Sequence, residues 1–223
     1  MATQRFSKGE AIRFGWNTMK SNIGFFIVLL IVAYLIVGVP SFISESIKEK
    51  ALVLSIIIDI VVQILSLVIG MGLIKISLKF CDNEKGELAD IFSCFSLFFK
   101  YLFGSILYGL IIFGGIILLI VPGIIWGIKF QFFSYFIVDK GFGPIEALKK
   151  SSAITNGAKW DLFLFGLLLI LINLLGFLCL CIGLFATVPT TMVAQAFVYR
   201  KLLAQTEIAQ LPESSTGEVI TNK

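Results

Sequence analysis

Two stretches of this 223-residue chain are almost entirely apolar. Between Tyr101 and Val138 the one charge is Lys129, and between Leu162 and Tyr199 there is none. Each stretch is 38 residues long, so a straight helix through it would measure about 57 Å at ~1.5 Å per residue. A hydrocarbon core is ~30 Å thick, and a spanning helix needs ~20 apolar residues. Each stretch therefore predicts two antiparallel spans and a turn. Pro122-Gly123 marks the expected turn of the first, since proline removes an amide donor and glycine accepts strained dihedrals. Gly183 and Pro189 bracket the expected turn of the second. Two earlier runs predict one more hairpin: Ile23 to Ile43, ending around Pro40, and Ala51 to Leu73, interrupted by Asp59 and Gln63. The expected spans are about 23–43, 51–75, 101–121, 123–139, 162–182 and 186–203. They form one membrane domain over 1–205, with a disordered cytoplasmic tail over 206–223.

A short polar segment precedes each hairpin: "KGEAIRFGWNTMKSN", "KGELADIFSCFSLFFK" and "GPIEALKKSSAITNGAKW". In the first, Ile12, Trp16, Met19 and Ile23 fall on one helical face; in the second, Leu88, Ile91, Phe92, Phe95 and Phe99 do the same. Such helices are expected to lie in the membrane interface with apolar faces in lipid and basic residues in water. The predicted fold is all-α and integral to the membrane: six transmembrane helices as three tandem units, each an amphipathic interfacial helix plus a transmembrane helical hairpin. Glu10, Glu87 and Glu146 recur near the start of each unit. Ser7-x-x-Glu10 matches a capping box, and Gly143-Pro144-x-Glu146 puts proline at a first helical position. The three glutamates read as helix starts; lining a shared inner vestibule is the functional alternative.

Composition agrees with the pattern. The chain is 58% hydrophobic and 14% charged, with a mean hydropathy of +0.99, where a soluble domain carries about 25% charged residues. Lysine and arginine divide fifteen to two between the expected inner and outer segments, with Lys129 inside a span. That bias predicts both termini in the cytoplasm. It also accounts for the net charge of +4 through contact with anionic lipid headgroups, without nucleic-acid binding. The first apolar run is too long for a signal-peptide core, and "GVPSFISES" lacks a small-x-small cleavage pattern, so the run is expected to stay as a span.

Little in the chain points to catalysis. There is no histidine, which removes the usual general base and zinc ligand. Cys81 and Cys94 have no matching second pair, and Cys179-x-Cys181 has one residue between thiols where metal and redox motifs have two. These cysteines read as small packing residues. No phosphate-binding glycine loop is present, and Gly123-x-x-x-Gly127 fits a close helix contact. Neither a cofactor nor a metal is expected. What remains is a set of intramembrane polar residues: Asp59, Gln63, Lys129, Asn173 and Gln195. Charges at depth pair, face a wet cavity or snorkel outward. Asp59 and Lys129, at similar expected depth, could therefore form a helix-binding pair, or all five could line a solute path or ligand site.

Residues 118 to 166, "LLIVPGIIWGIKFQFFSYFIVDKGFGPIEALKKSSAITNGAKWDLFLFG", resemble a family of bacterial multi-pass membrane proteins. That family is related to the membrane domain of some glycerophosphoryl diester phosphodiesterases. The resemblance rests on Pro122-Gly123, on Gly143-Pro144-x-Glu146-Ala147-Leu148, and on Ser151, Gly157 and Trp160, with "AIRFGWNTMKSNIGFF" adding the opening. It implies a helical bundle in the bacterial inner membrane. It brings no activity, because the phosphodiesterase chemistry belongs to a separate soluble domain.

The expectation is a non-enzymatic inner-membrane module, a scaffold or accessory protein in lipid or envelope organisation. Its expected partners are membrane lipids, together with a membrane protein or a second copy of the chain. A transporter or channel for a small or amphipathic solute, using Asp59 and Lys129, is the alternative. Reporter fusions test the topology: one after Gln205 should read cytoplasmic and one at Glu45 external. A cytoplasmic signal at Glu45 overturns the assignment.

Overall fold

A computed structural model describes residues 6–179 and 182–210, and each of its regular elements is a helix. Helix α1 (Lys8–Ser21) opens at Ser7, whose hydroxyl accepts the Glu10 amide at 3.2 Å, and closes at Asn22. Helix α2 (Ile23–Ile47) pairs with α3 (Leu52–Cys81). Two short 3-10 turns, Leu88–Ile91 and Phe95–Leu97, lead into α4 (Phe98–Leu118), which pairs with α5 (Ile120–Phe130). After a bend at Gln131 the chain continues as α6 (Phe133–Lys140) and returns as α7 (Pro144–Ile154). Helix α8 (Lys159–Leu178) then pairs with α9 (Leu184–Gln210).

Five segments are long and apolar enough to cross a membrane: Ile23–Ile47, Leu52–Cys81, Leu88–Leu118, Ile120–Lys140 and Lys159–Leu178. Helix α9, expected as a sixth span, is not among them. Its face carries Thr187, Thr190, Thr191 and Gln195 before Arg200 and Lys201, so it is long enough but too polar.

All three expected proline stops lie inside helices instead. Pro40 sits within α2 and Pro189 within α9. Pro122 sits at the third position of α5, where an amide has no intrahelical partner to lose. The first hairpin of the long apolar runs turns at Leu119 alone, an extended residue with φ −171° and ψ 151°. Ending a helix in hydrocarbon strips several backbone groups of partners, whereas an internal proline forfeits one bond. Helix α9 also continues to Gln210, so residues 206–210, expected in the tail, are helical; 211–223 lie outside the described residues, as does Cys181.

The second expected amphipathic helix is also absent as an α-helix. The Asp90 carboxylate accepts the Glu87 amide at 2.8 Å and the Lys79 ammonium at 2.7 Å, and Ser93 Oγ donates to the Asp90 carbonyl at 2.9 Å. These side chains take over the backbone's hydrogen bonding and hold the segment in tight turns.

Of the α1 face expected to meet lipid, Trp16 and Ile23 are exposed and Met19 is buried; the side of α1 that packs on protein is the small-residue one. Ala11, Gly15 and Met19 of α1 are buried, and α1 packs antiparallel on α9, with Phe14 stacked on Phe197 at 4.7 Å. Ala147, Leu148, Ser151 and Ile154 of α7 are buried against the α4–α6 region. The deepest packing gathers there: Phe132, Phe136, Ile137, Tyr199 and Leu202 are buried together. At the opposite end the helix pairs are exposed, Ile117 at 70%, Leu119 at 69% and Leu178 at 68%. The molecule is tied at one end and open at the other.

Two glycines permit the tight crossings at the tied end. A Cβ on Gly15 would collide with the Thr190 carbonyl, and one on Gly72 with the backbone of Ile91. Gly15→Val and Gly72→Val should each lower stability in detergent by roughly 1–3 kcal/mol through overpacking. Gly109→Ala, where nothing lies within 4 Å, should be neutral or slightly stabilising in the same thermal-unfolding measurement.

Candidate functional site

The five intramembrane polar residues do not form one site. Asp59, seven residues into α3, is exposed and accepts a 2.6 Å hydrogen bond from Ser44 Oγ of α2. Ser44 Oγ also lies 3.1 Å from the Ser55 carbonyl, so this cluster clasps α2 to α3 near their turn. Gln63 lies one turn further on, exposed. Lys129 is on a different pair, with its ammonium 5.1 Å from the Phe130 ring centroid. Among the described residues neither Asp59 nor Lys129 has an ion-pair partner. The expected pair does not form because α3 and α5, on which the two residues sit, do not pack closely on each other.

The backbone of Lys129 carries more structure than its charge. Its carbonyl accepts from Ser151 Oγ at 3.1 Å and Thr155 Oγ1 at 3.0 Å, and Ser151 Oγ accepts the Phe132 amide at 3.1 Å. These bonds satisfy the backbone where α5 bends into α6. Ser151 and Thr155 thus repair the break. Asn173 serves a similar local purpose, donating from Nδ2 to Thr191 Oγ1 at 3.2 Å between α8 and α9.

Gln195 lines a cleft. It faces Ser77 of α3 and Gln131, Ser134 and Tyr135 around the α5–α6 bend, in a space of about 260 Å³. Every polar lining group is neutral, and Gln131 Nε2 is buried without a hydrogen-bond partner. Gln131 interrupts the same apolar run as Lys129, and that interruption is the sequence signal that marks it.

The strongest polar constellation lies at the tied end. Arg200 of α9 grips Asp139 with both arms, Nη1 to Oδ2 at 2.8 Å and Nη2 to Oδ1 at 2.9 Å. Its Nη2 also reaches Asp82 Oδ2, just after α3, at 2.6 Å. Tyr199 donates its hydroxyl to Asp139 Oδ2 at 3.0 Å. One guanidinium thus joins three helix pairs. A fork of donors does this where a lysine cannot. Asp82, Asp139 and Arg200 each follow a long apolar run, the signal by which they could have been found; sequence reasoning weighed only the lysine and arginine side, as topology markers.

Glu10 pairs with Lys201 at 3.2 Å, Glu87 contributes its amide to Asp90, and Glu146 stands exposed in the first turn of α7. They do not share a vestibule. Among the described residues no group of three His, Cys, Asp or Glu side chains could hold a metal ion. Cys81 Sγ points at the Val193 carbonyl at 3.9 Å, Cys94 is buried, and Cys179 is exposed.

One further feature is apolar. Val121, Ile124, Ile125 and Ile128 of α5, at helical spacing, face Lys159, Trp160 and Phe163 of α8 across a groove of about 480 Å³.

These features define an all-helical membrane protein whose apolar helix pairs spread from a tightly packed end. Residues 110–206, from within α4 to the far part of α9, match the sequence model of the family described as "Protein of unknown function (DUF975)". The chain is also 24% identical over 225 aligned positions to the uncharacterised proteins Rv2560 of Mycobacterium tuberculosis and Mb2590 of Mycobacterium bovis, covering 88% of this chain and 69% of each relative. These descriptions assign no activity, and none of these matches carries the phosphodiesterase relationship suggested by residues 118 to 166. No solved structure matches.

Removing the Arg200 fork tests the constellation. Asp139 is only 11% exposed, so Arg200→Leu should lower stability by about 3–5 kcal/mol, most of it regained in the double variant with Asp139→Leu. Asp82, 42% exposed, contributes less; Asp82→Asn should cost under ~1 kcal/mol. Thermal unfolding in detergent reads all three.

Proposed function

We propose that this protein is a non-enzymatic module of the bacterial inner membrane that organises lipid around three loosely joined helix pairs, with both termini in the cytoplasm. In this reading α9 is a sixth span. Each short segment then crosses onto the preceding unit: the 88–91 turn onto α3, α7 onto α4, α5 and α6, and α1 back onto α9. Three units close into a ring at the cytoplasmic end.

The observation that carries the reading is the contrast between the two ends. The polar residues at depth are dispersed among separate pairs, as local clasps, while the apolar faces of the open end stay uncovered. A conducting path needs polar groups aligned along one cavity. Lipid, by contrast, wets each separated apolar face. Histidine is absent from the chain, and the carboxylates of the tied end are occupied by Arg200, which also favours a non-catalytic role. A second reading, transit of a small uncharged solute, is favoured by the neutral cleft around Gln131 and Gln195.

Proteoliposomes separate the two. Glycerol flux should match that of protein-free vesicles, and Asp59→Asn, Lys129→Met and Gln195→Leu should leave it unchanged. Flux above that baseline, lost in Gln195→Leu, replaces the lipid-organising module with a transporter.

A further inference from the structure

We propose that the groove between α5 and α8 is a binding site for one acyl chain of an anionic phospholipid, whose phosphate rests on the Lys159 ammonium. The proposal rests on the reading of the chain as a lipid-organising module and gives that module a specific ligand. Three observations converge on it.

The first is shape and lining. Val121, Ile124, Ile125 and Ile128 recur on one stripe of α5 and meet Phe163 and Trp160 of α8. The stripe runs about 10 Å at ~1.5 Å per residue. The space of about 480 Å³ falls within the roughly 300–1,000 Å³ typical of small-ligand sites. Both walls belong to segments apolar enough to cross a membrane, so the groove is flanked by hydrocarbon and its natural occupant is a lipid chain.

The second is charge. Lys159 is exposed at one end of the groove, and no described carboxylate pairs with it. The one neighbouring acid, Asp161, is engaged by Lys8 at 2.9 Å and leaves Lys159 uncompensated. The first turn of α8 adds the positive end of a helix dipole, and Ala158 supplies no side-chain cap to it. A phosphate diester supplies the missing negative charge.

The third is the indole. Trp160 is 70% exposed and stacks on Phe163, with ring centroids 5.4 Å apart. An indole next to a lysine at the end of an apolar helix is the usual anchor at the level of lipid headgroups. The groove thus presents chain-binding, phosphate-binding and interfacial groups in the order in which a phospholipid carries their partners.

Trp160 is its own probe. The chain has three tryptophans, so the Trp16→Phe, Trp126→Phe double variant leaves Trp160 as the one emitter. In vesicles, phosphatidylglycerol with brominated chains should quench it more strongly than brominated phosphatidylcholine at the same mole fraction. The expected preference is about fivefold in relative affinity, the size that one lysine supplies at an anionic surface. Lys159→Gln, at an exposed position, should abolish that preference while leaving quenching by phosphatidylcholine unchanged. Ile125→Phe, which fills the groove, should reduce quenching by both lipids. Equal quenching by the two headgroups, or a preference that survives Lys159→Gln, overturns the site. Quenching that falls as protein density in the vesicle rises assigns the groove to a second copy of the chain and overturns it as well. The flux measurement fails independently: selective quenching in a glycerol-conducting protein keeps the site and changes the function, whereas unselective quenching without flux does the reverse.

Discussion

The guanidinium of Arg200 is where the helix pairs are held together. Its two terminal nitrogens satisfy Asp139 from α6 and Asp82 from the end of α3, while the adjacent Tyr199 adds its hydroxyl to Asp139. Buried charges are unfavourable unless paired and hydrogen-bonded, so Arg200 and Asp139 depend on each other, while the more exposed Asp82 adds a weaker tie to the end of α3. Tyr199 extends the tie into the apolar core, packing on Phe132, Tyr135 and Phe136 with centroids 5.2–5.9 Å apart. Polar and aromatic packing thus reinforce one another at the same turn of α9.

From that constraint the rest of the shape follows. Helices joined at one end by ions and rings pack along their length on a hairpin partner, and α9 packs on α3 as well, with Val193 buried beside Ile69 and Ile76. Within each pair the contacts are short-range clasps: Ser44 on Asp59, Tyr108 on the Gly127 carbonyl at 3.1 Å, Asn173 on Thr191. Membrane helices gain little from burying apolar side chains against each other, because lipid tails are equally apolar; close backbone approach and a few hydrogen bonds do the joining. Gly115 against Gly123 illustrates this beside the single-residue turn at Leu119. The proposed lipid site lies between α5 and α8, the facing helices of two such pairs.

The hairpins were legible because a 38-residue apolar run cannot cross a ~30 Å core only once. Their turns were not, and the cause is one inference applied three times. Pro40, Pro122 and Pro189 were read as stops, a rule learned where water is ready to take up freed carbonyls. In α2 and α9 the helix continues through the proline, and the neighbouring hydroxyls add bonds of their own, Ser41 to the Val37 carbonyl and Thr190 to the Ala186 carbonyl, each at 2.7 Å. Similar depth suggested Lys129 as a partner for Asp59, but depth does not make helices neighbours, and α5 does not pack closely on α3. Periodicity identified the short helices α1 and α7 but not the face by which α1 meets α9, since Ala11 and Gly15 carry too little apolar surface to stand out as a stripe. Arg200 was visible in the sequence; that two acids from distant turns converge on it was not, because each lies beside a different helix end and only the tertiary fold brings them together.

Helix α9 shows why the small-residue face of α1 turns inward. Its Thr190, Thr191 and Ala194 are buried, and its composition leaves it below the threshold of the five apolar segments. A helix of that kind facing lipid would expose hydroxyls and a glutamine to hydrocarbon, so it must be covered by protein. Helix α1 provides much of the cover: Gly15 admits the Thr190 carbonyl, Phe14 stacks on Phe197, and Glu10 meets Lys201 at 3.2 Å. The same contact neutralises a charge on α1 that would be costly near lipid. Each helix therefore removes the obstacle to the other's position.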